Sequence, residues 1–275
     1  MTDLIKPVEE TEKDKRELYG GKAISLGEMV RGGLNIPSAV VVSSRSYDKF
    51  LEETGLGGRI TVELNRKSFD DMRWEEIWDT SLRIRNMFTN TELPTDLRKE
   101  LEDSLKTYYS DEPVVVRSSA TEEDREDVSF AGLHESYVNV KGIDSIIDKI
   151  KLVWASLWSD GALMYRKKMG ITLENSTMAV VVQKLVEGEK SGVIFGKDPD
   201  GGSNNRILES VHGLNEGLVD GEIDPDRWII DRSTDEVIEH TQVSRDVAIF
   251  SGPDGTEKRE LPEDLQEKSP LNSSE

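Results

Sequence analysis

Arg117 stands at the end of the β-branched run Val114-Val115-Val116, and Ser118-Ser119-Ala120-Thr121 follow it before the acidic Glu122-Glu123-Asp124. Ser129-Phe130-Ala131-Gly132 then leads to Ser136 and a second apolar run, Tyr137 to Val140. A buried strand that ends in arginine must bring that charge to the surface or pair it. A guanidinium held in this way grips a phosphate through two parallel hydrogen bonds, and nearby hydroxyls and backbone N–H groups add donors. The alternative is a structural ion pair between Arg117 and Glu122, Glu123 or Asp124. Gly132 permits close backbone approach, and Ser136 offers a hydroxyl at the entry to the next strand. Both also suit a plain loop-to-strand turn.

Two further positions have chemical potential. Gly20-Gly21-Lys22 puts an ammonium at a helix start behind permissive backbone, where an anion gains from the helix terminus and the charge together. This is not the longer Gly-rich phosphate loop, and an ordinary turn with a surface lysine fits the same residues. Gln183 interrupts Val180-Val181-Val182 and Leu185-Val186 with an amide. It can read a base edge, or face solvent from an edge strand. His134, His212 and His240 have neither metal-ligand spacing nor a triad signature, so they read as structural or exposed.

The elements that must hold these groups follow from periodicity. A helix opens after the glycine pair and ends at Gly32-Gly33; Ile36 to Val42 is a strand with its proline at the start. Residues 72–110 form two helices split at Pro94. The long run from Asp144 to about Met169 reads as one helix, with Trp154 and Trp158 in its core-facing stripe. Met178 to Val186, Ser191 to Phe195 and Arg206 to Val211 are strands. Arg227 to Ile230 and Glu236 to His240 make a hairpin around Ser233-Thr234. The fold class is mixed α/β or α+β, helix-rich to about residue 112 and strand-rich after it. Residues 1–18 read as a charged lead-in, 19–250 as the domain, and 251–275 as a linker or disordered tail.

The 275 residues carry a net charge of −20 and no cysteine. Disulfides and thiolate chemistry are excluded. The acidity argues against a broad nucleic-acid or membrane surface, and any bound polyanion requires a local cationic cluster. No apolar run reaches the roughly 20 residues that span a bilayer. Met1 to Arg16 lacks the apolar core of a signal peptide, and a cytoplasmic location is expected.

Taken in order, several blocks resemble the N-terminal ATP-binding domain of the phosphoenolpyruvate synthase and pyruvate phosphate dikinase family. They are Gly20-Gly21-Lys22-Ala23 with Ser25 to Met29, Arg117 to Asp124 with Ser129 to Gly132, and Trp154 to Asp160 with Tyr165-Arg166. Ser191 to Phe195 with Asp198-Pro199, and Gly213-Leu214 with Glu216, Gly221 and Pro225-Asp226, complete the set over roughly residues 18 to 232. The resemblance implies an ATP-grasp-like fold in which two subdomains enclose a nucleotide. It implies Lys22 and Arg117 as catalytic and ATP-binding groups, Gly132 and Ser136 in the loop over the phosphates, and Gln183 on the nucleotide. It further implies Mg²⁺, phosphate transfer to a histidine on a separate domain, and a separate pyruvate-binding domain. A non-catalytic nucleotide-binding module is the alternative, as is a related dikinase with another acceptor such as rifampin or a glucan. Ala23 and Asn215 replace family glycines, Gly161 replaces an arginine, and Gly196-Lys197 replaces Thr-Arg. No counterpart of the family's metal-binding Asp-Ile-Glu-Trp or Leu-Gln-Arg-Pro segments occurs. The implied fold therefore lacks its last strands, and the metal ligands are expected outside this chain.

Overall fold

Three β-branched runs form the centre of the first sheet because they are buried on both faces, where strands read as continuous apolar stretches. They are β2 (Ala39–Val42), β3 (Val114–Ala120) and β7 (Met178–Lys184). With β1 (Ile5–Pro7) and β6 (Ser136–Val140) they make a five-stranded sheet in the order β1-β2-β7-β3-β6. Every neighbouring pair is antiparallel. The short β4 (Asp124–Arg125) and β5 (Val128–Ser129) pair with each other. The computed structural model describes residues 4–120, 124–125, 128–129, 135–170, 176–199 and 201–272.

The chain divides into two units, Met1–Leu185 and Val186–Glu275. Among its described residues the first contains this sheet and seven α-helices: α1 (Arg16–Arg31), α2 (Ser44–Glu53), α3 (Leu56–Leu64), α4 (Trp74–Asn90), α5 (Thr95–Tyr108), α6 (Ile143–Ser156) and α7 (Asp160–Met169). Because side chains alternate along a strand, each sheet face has its own core. Val40, Val182 and Val116 face a large apolar cluster that includes Tyr47, Phe50, Phe88, Leu101, Ile147 and Trp154 from the helices. Val41 and Val181 face the other way, against Tyr19, Ala23 and Ile24 of α1. The helix-rich and strand-rich parts expected from sequence are thus interleaved, since β1 and β2 join strands from far downstream.

The helix expected from Asp144 to Met169 is broken. Ser159 caps α7 by accepting the Ala162 N–H at 3.2 Å, and the buried Arg166 donates to the Leu157 carbonyl at 2.7 Å. Both groups belong to helix ends, where backbone partners are missing, so the break is stabilised from both sides. Trp154 and Trp158 are core residues, as their spacing suggested.

The second unit is a four-stranded sheet, β11-β10-β9-β8, built from β8 (Lys190–Phe195), β9 (Arg206–His212), β10 (Asp226–Ile230) and β11 (Val237–Thr241). The short α8 (Glu216–Val219) lies between β9 and β10. The stretch after residue 250, expected as a linker or tail, carries ordered elements. There β12 (Val247–Ser251) pairs in register with β13 (Thr256–Glu260), and α9 (Glu263–Gln266) follows. The turn between them returns on Gly255, whose φ of 71° suits glycine. No helix of the described residues is long and apolar enough to cross a membrane.

Candidate functional site

Arg117 lies on the α1 face of the first sheet. The pairing places Lys6, Val41, Val181, Arg117 and Ser136 in one row across five strands. Directly opposed residues in such a ladder share a face. The sequence thus put three apolar strands next to each other, and their register brings Ser136 alongside Arg117. Ser136 is exposed, while Arg117 is half-buried.

The next row toward the β3 N-terminus contains Ala39, Gln183 and Val115. Gln183 is only 8% exposed on a central strand, so the edge-strand reading of its amide does not hold. Its Oε1 accepts a long hydrogen bond from Arg117 Nη1 at 3.5 Å, and its Nε2 donates to the Pro37 carbonyl at 3.3 Å. A buried amide with both ends engaged has a defined orientation. It therefore steadies the guanidinium it touches.

The row on the other side of Arg117 pairs Ser119 with Ala179. The sequence reading gave the hydroxyls of Ser118 and Ser119 to an anion, and the structure corrects this. Ser118 pairs with Val180 and so faces the helical core. Ser119 is fully buried; its Oγ donates to the Tyr19 carbonyl at 2.8 Å and accepts the Ala23 N–H at 3.1 Å. Both contacts are to α1, which is interrupted at Gly20 (φ 71°, ψ 166°). Lys22, partly buried, lies in the first turn after this interruption.

Of the residues expected at the site, Lys22, Arg117, Ser136 and Gln183 come to one face of one sheet or to the helix packed on it. Gly132 lies outside the described residues, as do Glu122 and Glu123. The role of Ser119 was missed. A signal for it existed: the helix start at Gly20-Gly21-Lys22 has no Ser, Thr, Asp or Asn to cap itself. Pro37 was read only as a strand opener.

The donor set here is cationic and amide, with an arginine and a lysine in a chain of strongly negative net charge. It suits phosphate oxygens and fits a nucleotide. A metal fares differently: among the described residues no group of three or more His, Asp or Glu side chains could hold one.

The second unit contains the Gly213 block. Gly213 has φ 74°, and a Cβ there would collide with the Ile249 carbonyl. Ser191 Oγ donates to the Gly213 carbonyl at 2.8 Å, and Leu214 N–H donates to Ile249 O at 2.7 Å. Asp226 is wholly buried here. Its carboxylate accepts from Ser269 Oγ at 2.7 Å, from Val243 N–H at 3.2 Å and from Arg245, and His240 Nε2 lies 3.0 Å away. Burial alone would raise its pKa, but the hydrogen bonds from Ser269, Arg245, His240 and Val243 outweigh it and hold the carboxyl below its usual range. His240 also stacks on Trp228 with ring centroids 4.4 Å apart, and His212 Nε2 lies 3.0 Å from the Lys268 carbonyl oxygen. These two histidines are structural, as their spacing indicated.

Residues 16–275 match the family model described as pyruvate phosphate dikinase, AMP/ATP-binding domain. Similar proteins include a phosphoenolpyruvate synthase of Aeropyrum pernix, 40% identical over 97% of this chain and 34% of the relative. A probable phosphoenolpyruvate synthase of Methanothermobacter thermautotrophicus is 33% identical over 100% of this chain and 41% of its own length. Another, from Staphylothermus marinus, is 35% identical over 90% of this chain and 30% of the relative. The chain thus spans 30–41% of these relatives' length.

Proposed function

The chain belongs to the family of the pyruvate phosphate dikinase AMP/ATP-binding domain, and on that premise we propose that it holds ATP on the α1 face of its first sheet. Lys22 and Arg117 take the phosphates, Gly132 and Ser136 belong to the loop over them, and Gln183 contacts the nucleotide while orienting Arg117. The observation that carries this reading is the register. It sets Arg117 between the Gln183 row and the Ser119 row, on the face covered by the helix of Lys22. Successive rows are about 7 Å apart, so these groups are held by strands rather than by loops.

ATP supplies the transferable phosphoryl group. Charge held by rigid donors is the main way a protein accelerates such a transfer, and Arg117 and Lys22 provide that charge here. The ATP-grasp-like description of the fold forms part of the proposal. So does transfer to a histidine on a separate domain, followed by phosphorylation of pyruvate elsewhere in the longer protein. The names of the similar proteins and their greater length support this extension. Among the described residues no ligand is assigned to magnesium.

The test is calorimetry of Mg·ATP binding to the chain and to its Lys22→Ala and Arg117→Ala variants. Both variants should bind ATP at least tenfold more weakly while unfolding at nearly the same temperature. Equal affinity in all three would remove the phosphate assignment. Acid-labile label passing from ATP to an added histidine-bearing domain would then test the extension.

A further inference from the structure

Helix α1 contains a start within it. Gly20 has φ 71° and ψ 166°, so the residues before it do not hand their hydrogen bonds on, and the helix begins again at Gly21. Counting from Gly20 as the cap, Lys22 and Ala23 occupy the second and third helical positions. A cap side chain normally accepts the N–H of one of these two. Gly20 has none, and none would fit: φ is in the left-handed region, and a Cβ would collide with the Ser119 carbonyl.

The missing acceptor comes from another strand. Ser119 Oγ accepts the Ala23 N–H at 3.1 Å and donates to the Tyr19 carbonyl at 2.8 Å, bridging the two sides of the interruption. Tyr19, Ala23 and Ser119 are all fully buried, so water cannot substitute for the hydroxyl. Ser119 is also two residues from Arg117 on the same face of β3. One strand therefore holds the guanidinium directly and caps, through space, the helical turn that contains the ammonium.

We propose that Ser119 is a positioning residue: its hydroxyl caps α1 in trans and sets Lys22 at a constant distance from Arg117, so that both meet one polyphosphate. This rests on the phosphate-holding reading of Lys22 and Arg117. It accounts for a glycine pair where a capping residue is usual, and for a serine hydroxyl turned away from the anion.

The experiment compares ATP with adenosine, which lacks phosphates, in the full chain. Ser119→Ala should weaken ATP about five- to tenfold, the size of a lost cap, and leave adenosine unchanged. In a double-mutant cycle, Ser119→Ala should have no further effect on ATP once Lys22 is alanine. Ile147→Val, a core change on the opposite face of the sheet, should lower thermal stability and leave the ATP-to-adenosine ratio alone. If Ser119→Ala does not fold, Ser119→Cys keeps the shape with a weaker donor and acceptor and bears the same test. Equal weakening of ATP and adenosine, or an undiminished effect in the Lys22→Ala background, overturns the positioning role while leaving the phosphate site standing. Lys22→Ala binding ATP as wild type would overturn the positioning role together with the assignment of Lys22 to the phosphates.

Discussion

At Asp226 both carboxylate oxygens are taken up inside the second unit, whereas Arg117 of the first unit is half-exposed in a row that ends at the exposed Ser136. Each cluster places a charged side chain on a β-strand, and each surrounds it with hydrogen-bonding groups. The difference is in what they connect. Asp226 links residues of β10, β11 and the C-terminal stretch from Val243 to Ser269, so its partners are structural elements that need tying together. Arg117 is half-exposed; the Gln183 amide is among its contacts, and the same strand face carries a serine bound to a helix. A buried charge surrounded by its own chain is a fastening. A half-exposed charge beside an orienting amide is what the proposed phosphate contact at Arg117 calls for.

The largest effect that would sharpen this contrast is Asp226→Ala. It leaves Arg245 buried beside an empty place, and breaking such a pair costs about 3–5 kcal/mol. Denaturant unfolding followed by Trp228 fluorescence should show it, with ATP binding reported separately. Next is Arg117→Ala, expected to weaken ATP by about ten- to a hundredfold, as charged hydrogen bonds do, with little change in unfolding temperature. Should Arg117→Ala destabilise the chain as much as Asp226→Ala, the two clusters are alike and the comparison fails. Gln183→Leu keeps the volume but removes the amide bonded to the Pro37 carbonyl and Arg117, so stability should fall by about 1–3 kcal/mol. ATP affinity should fall only a few-fold, because the guanidinium keeps its charge and loses its orientation; fluorescence titration with a labelled nucleotide would read this.

The smallest effect near neutral pH concerns acid. The Asp226 carboxyl is held below its usual range, so its contribution is complete above the ordinary carboxylate pKa and is lost as pH falls through the lowered value. Unfolding measured from pH 7 downward should be level at first and then decline, and Asp226→Asn should flatten that part of the decline. A decline already present between pH 7 and 6 would point to another group.

Much of this architecture is visible in residue order. The apolar runs at 39–42, 114–116 and 178–182 read as strands, and the structure gives them the three inner positions of the first sheet. Pro94 separates α4 from α5, and the hairpin at Ser233-Thr234 joins β10 to β11. The break after Ser156 was hidden because apolar spacing continues across it. It depends on Arg166 reaching back to Leu157, a contact that periodicity cannot report. The ordered hairpin after residue 246 was obscured by the composition of its turn and of β13, which is charged and exposed along nearly its whole length.

The sequence by itself determined which residues could serve a phosphate. Arginine and glutamine at interruptions of apolar runs are costly to bury and must be accounted for, and a lysine behind a glycine pair stands at a helix start. Only tertiary structure decided which of them share a face. Strand register is set by pairing between segments distant in sequence, such as Val181 opposite both Arg117 and Val41, and a shift of one residue would turn Arg117 into the helical core. Tertiary structure also decided that Ser119 serves the backbone of α1 and not an anion. A hydroxyl's partner depends on what the folded chain brings within about 3 Å, and local sequence contains no record of that distance.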